Sequence, residues 1–141
     1  MLVLLTKYLE QNPVGEVFPA PSDVYLTDYD VYQPDLFYVS NANAAILTAQ
    51  GAAGAPDLVV EILSPGTARL DRDIKRKVYA QAGVKELWLV DPEVKAILLL
   101  QLAAGSDVPA ATHGLGSHFV SELFPGLTLA PEQVFKPSRL G

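Results

Sequence analysis

Three residues of this chain, Asp35, Glu61 and Lys75, could together do hydrolytic chemistry. Glu61 is the most conspicuous, because it lies within "PDLVVEILSP" (56–65), where seven of ten residues are apolar or proline. That run reads as a strand buried on both faces, and a charge there costs several kcal/mol unless it is paired. A bland reading gives Glu61 hydrogen bonds from the 64–67 turn or an ion pair with Lys75. The sharper reading makes it a metal ligand. Alternation puts Asp57, Val59, Glu61 and Leu63 on one side of the strand, with Asp57 about 13 Å from Glu61. One ion cannot bridge that span, so Asp57 is expected to be structural and the second carboxylate must come from a neighbouring strand. Asp35, which follows a proline in "QPDLFYVS" (33–40), is the candidate, although Asp after Pro is also a common turn residue. Two carboxylates and a lysine suit metal-assisted phosphodiester hydrolysis: hard oxygens hold Mg²⁺, and the lysine adds positive charge beside the scissile phosphate.

Positioning these groups requires a strand, a break and a helix. "PDLVVEIL" is the strongest strand signal, and in "SPGT" (64–67) either Ser64 or Thr67 could cap the next helix. Residues 68–82 form the clearest helix, with Ile74, Val78 and Ala82 as its apolar face and Gly83 as its stop. Asp71, Lys75 and Tyr79 make a polar stripe on that helix, which returns toward the end of the strand and brings Lys75 near Glu61. Lys75 could equally make an i,i+4 pair with Asp71. Tyr79 reads as a packing residue whose hydroxyl supports the site.

Upstream, residues 2–11 suit a helix ended by "NPVG", followed by strand-like "EVFPA", "SDVYLT" and "VYQPDLFYVS". "NANAAILTAQGAAGA" (41–55) suits a short helix and then a loop. "KELWLVDP" and "KAILLLQLA" are two strands, and the Gly- and Pro-rich tail carries strand-like "SHFVSELF" and a last turn at "PEQVF". The order fits a single α/β (α+β) domain over 1–141 with a mixed central sheet flanked by helices.

Composition narrows the partners. Net charge is −6, against a general electrostatic grip on nucleic acid, yet six of the ten Lys and Arg residues fall between 69 and 85. Four acids, Asp23, Asp28, Asp30 and Asp35, cluster upstream. One basic helix in an acidic domain can still hold a phosphate. The chain has no cysteine, hence no disulfide or thiolate chemistry. No apolar run spans a bilayer and the N-terminus lacks signal-peptide features, so a cytoplasmic protein without a membrane partner is expected. His113 and His118 lack a third nitrogen or sulfur ligand, so zinc is not expected. Lys77 pairs in sequence with Asp73 and reads as a surface residue, and Trp88 reads as core. No phosphate loop, nucleophile elbow or dinucleotide fingerprint is present.

"QPDLFYVS" and "APDLVVEILSPGTARLDRDIKRKVYAQAGVKELWLVDP" (55–92) resemble the Uma-type family of restriction-endonuclease-like proteins. The resemblance covers roughly residues 2–102. It implies the PD-(D/E)xK nuclease fold, with Asp35 as the "PD" acid and Glu61 as the second-motif acid. It departs from that pattern at Leu63, which stands where the motif lysine belongs; the family's lysine has moved to the following helix, where Lys75 fits. Relatives also begin with a hairpin of the type "YELIDGE", which this chain lacks. The resemblance therefore implies a Mg²⁺-dependent deoxyribonuclease (Mn²⁺ substituting) with Asp35 and Glu61 on the metal and Lys75 beside the attacked phosphate. Duplex cleavage by single sites implies a homodimer. The rival is a nuclease-fold scaffold without catalysis, favoured by the missing hairpin and the acidic charge. A two-carboxylate glycosidase is weaker, since the lysine has no place in it.

Overall fold

In the computed structural model, residues 1–26, 31–64, 69–102 and 111–135 are described. Asp28, Asp30, the candidate cap Thr67 and the side chains of Arg69, Asp71 and Arg72 lie outside them. In chain order the elements are α1 (Leu2–Gln11), β1 (Gly15–Pro19), β2 (Asp23–Tyr25), β3 (Val31–Tyr32) and β4 (Leu36–Ser40). A 3-10 turn (Asn41–Ile46), β5 (Gly51–Ala53), β6 (Leu58–Ile62), α2 (Arg69–Ala82), β7 (Glu86–Asp91) and β8 (Ala96–Gln101) come next. The described tail adds β9 (Ala111–His113), β10 (Phe119–Val120), β11 (Thr128–Leu129) and α3 (Pro131–Val134).

The central sheet has the order β1-β4-β6-β7-β8-β9 and is mixed, as expected. β6 and β7 are parallel, joined by the α2 crossover, and the other neighbours run antiparallel. Burial on both faces explains the nearly unbroken apolar text of β4, β6 and β7. On one face Tyr38, Leu58, Val60, Trp88, Val90 and Ile97 pack beneath α1 and the C-terminal segments. On the other, Phe37, Val39, Val59, Leu87 and Leu89 pack with Tyr79 of α2 and with Val24 and Ala52 of a small β3-β2-β5 sheet. Burying each such side chain contributes roughly 1.5–3 kcal/mol.

Three expectations need correction. In the stretch 41–55 the short helix is present as the 3-10 turn Asn41–Ile46, but the expected loop contains a strand, since Gly51–Ala53 pairs in parallel with Asp23–Tyr25. Its small side chains hide the strand from a propensity reading, yet they are what permit a close approach: a Cβ on Gly51 would lie 2.0 Å from the Asp23 carbonyl oxygen. The run 31–40 is not one strand; Pro34 cannot donate to a ladder, and Gln33–Asp35 separates β3 from β4. In α2, Ile74 is 51% exposed and Tyr79 only 1%. The expected apolar face of Ile74, Val78 and Ala82 is therefore not the packed one, whereas Lys75 and Tyr79 turn to the sheet and meet Glu61. α2 does end at Gly83 (φ +102°), whose left-handed backbone suits glycine.

Candidate functional site

Asp35 and Glu61 meet through register. β4 and β6 pair antiparallel with Leu36 opposite Val60, so the next step of the same register sets Asp35 opposite Glu61. Since Leu36 and Val60 share the α1-side core, Asp35 and Glu61 fall on the α2 side. Asp35 lies just before β4, where its carbonyl accepts the Ala20 amide N–H, and its Oδ2 accepts the Ile62 amide N–H at 2.7 Å. That bond ties the acid across to the residue following Glu61. Asp35 is otherwise exposed.

Glu61 is mostly buried and α2 reaches both its oxygens. The Tyr79 hydroxyl donates to Oε1 at 3.1 Å, and the Lys75 ammonium lies 3.6 Å from Oε2. Four-residue spacing on the helix stacks the two donors over one carboxylate. Burial pushes the Glu61 pKa up; Lys75 and Tyr79 oppose this, and the negative charge of Asp35 adds to it. The net shift is upward, so the two donors leave part of the cost of this charge unmet. Tyr79 is itself held well above the ordinary phenol range, by burial first and then by Glu61. Its ring packs against Tyr32 with centroids 5.5 Å apart.

Among the described residues no group of three or more His, Asp and Glu side chains converges to hold a metal. Mg²⁺ needs no such cage, since it takes one or two carboxylates and fills its shell with water and substrate phosphate. The pair Asp35–Glu61 fits that habit: hard oxygen donors on adjacent strands, with a residual like-charge repulsion that a cation would relieve.

Asp57 lies at the opposite end of β6 and has its own partners. Oδ1 takes the Lys85 ammonium at 2.9 Å, and Oδ2 takes the Ser40 amide at 2.7 Å and the Asn43 amide at 3.4 Å. Burial works to raise its pKa, but Ser40 and Lys85 outweigh it and hold the acid below the ordinary range. An open hollow of about 390 Å³ lies beside it, with Ala42, Ala55 and Gly83 as small walls. Its charges are already matched, and it is remote from Glu61.

Trp88 is fully buried, and its indole donates to Glu86 Oε1. Lys77 is exposed, and His113 stacks on Phe119. Sequence reasoning missed Tyr32, whose place over Tyr79 depends on the β2–β3 pairing that no local pattern announces. It also missed Ser40, Asn43 and Lys85, whose only signal was the need of Asp57 for partners.

No curated protein matches the chain. A solved structure titled as that of a "putative nuclease belonging to DUF820" from Anabaena variabilis matches over 95% of this chain and 75% of its own. The TM-score is 0.76 at 15% identity, a likeness of fold. The sequence profile of the Uma2 family, described as "Putative restriction endonuclease", matches residues 1–132. With nearly the whole chain matched by that profile, the protein belongs to the Uma2 family.

Proposed function

We propose that the protein is a Mg²⁺-dependent endonuclease that hydrolyses DNA phosphodiester bonds, with Mn²⁺ able to substitute. The observation that carries this reading is the buried Glu61, which faces Asp35 across the β4–β6 register and has a lysine at 3.6 Å. Family membership and the neighbour's fold support it. Asp35 and Glu61 would hold the ion, which when bound neutralises phosphate charge and activates water. Lys75 stands where its ammonium can face a phosphate drawn toward the two acids, and its side chain is exposed enough (38%) to turn toward one. Each protomer offers one such pair, so cutting both strands of a duplex calls for a homodimer.

Supercoiled plasmid incubated with Mg²⁺ tests this. Wild type should nick it, while Asp35→Ala and Glu61→Ala should be silent although each still melts cooperatively. A second reading, a scaffold without catalysis, draws on the fact that Lys75 and Tyr79 already partner both oxygens of Glu61 without an ion. It predicts an inert wild type.

A further inference from the structure

Tyr79 sits where packing alone would be served by phenylalanine. Its side chain is 1% exposed, lies within the α2-side core and is covered by the ring of Tyr32. A buried hydroxyl must find a partner, and this one finds Glu61 Oε1. One helical turn earlier, Lys75 holds the other oxygen. The two donors differ in kind. Lys75 is charged and 38% exposed, free to swing toward a substrate. Tyr79 is neutral and enclosed, so its bond to Glu61 persists whatever Lys75 does. A glutamate has three rotatable side-chain bonds, and a directional O–H donor on a rigid helix fixes the plane in which its carboxylate lies.

We infer that Tyr79 is a positioning residue that locks the Glu61 carboxylate in the orientation required to bind the divalent ion together with Asp35. The inference rests on the metal-dependent reading above. At 1% exposure and bonded to Glu61, Tyr79 is placed to act through that carboxylate, as groups behind metal ligands do when they orient them. Asp35 needs no such helper, because the Ile62 amide already holds it.

Tyr79→Phe keeps the ring and deletes the hydroxyl. The readouts are Mn²⁺ affinity, from the paramagnetic resonance of free Mn²⁺, the melting midpoint, and kcat and KM for plasmid nicking. Mn²⁺ affinity should weaken and kcat should fall, each by roughly 10–100-fold, the range found for groups that orient metal ligands. KM for plasmid should stay close to wild type, and the melting midpoint should fall by no more than about a few degrees, as for loss of one hydrogen bond. Wild-type affinity and kcat in Tyr79→Phe would overturn the inference and leave the metal reading intact. Loss of a cooperative melting transition would also overturn it, by making the hydroxyl a determinant of the fold. A wild type that neither binds Mn²⁺ nor nicks would overturn the metal reading itself, and this inference with it.

Discussion

Glu61 is tolerated in an apolar strand because a phenol and an ammonium meet its two oxygens, yet its pKa is still raised, by burial first. The residues around it divide the labour. Asp35, fixed by the Ile62 amide, supplies a second carboxylate; Lys75 supplies a cation that can leave; Tyr79 supplies a donor that cannot. Lys75→Met should slow nicking by roughly 10²–10³-fold, the usual consequence of deleting a preorganised electrostatic donor. Mn²⁺ affinity should hold or rise, because a competing cation has left Glu61. Equal loss of affinity and rate, measured by titration and by plasmid assay, would instead make Lys75 a structural counter-ion.

The elements that matter are β4, β6 and α2, and β6 carries an acid at each end with opposite electrostatic outcomes. Asp57 has a depressed pKa, so its ionised form stabilises the fold at pH above the ordinary 3.8, and that contribution is lost as pH falls through the lowered value. Asp57→Ala would orphan the Ser40 amide and release Lys85, costing roughly 3 kcal/mol in urea denaturation at pH 7, with much of that cost gone in strong acid. A cost that did not vary with pH would point to packing and not to charge. Much of this was legible in the sequence. α1, β6, α2, β7 and β8 follow from periodicity, and the spacing of Glu61, Lys75 and Tyr79 was enough to bring them together. What was not legible is non-local. β5 is three small residues that become a strand only by pairing with β2, and Tyr32 reaches Tyr79 only through the β2–β3 pairing. The face of α2 was misread because Tyr79 counts as polar on a wheel, while Ile74, apolar in type, points outward.

Across the molecule, the sheet separates two cores, and each side carries a buried acid. The α2 side holds Asp35, Glu61 and Asp57, whereas on the α1 side Glu86 is 5% exposed and lies below Trp88. The Trp88 indole and the Ser121 hydroxyl donate to Glu86, joining the tail to the sheet. Burial raises the Glu86 pKa; those bonds oppose it, and Glu122 adds to it. The folded value therefore lies above the ordinary 4.5, and stability declines as pH rises from there through the folded pKa. Glu86→Gln should gain roughly 1 kcal/mol at pH 7 and nothing at pH 3, read from thermal melts at both. A loss at pH 7 would mean that the ionised carboxylate is the form this core requires. No helix among the described residues is long and apolar enough to cross a membrane.

If two carboxylates on neighbouring strands form one ion site, calorimetric titration of Mn²⁺ into wild type, Asp35→Ala and Glu61→Ala will reveal it. The wild type should bind one ion per chain and neither variant any, with all three folded. Undiminished binding in both variants, or no binding in the wild type, would contradict such a site and leave Glu61 as a carboxylate kept for the fold.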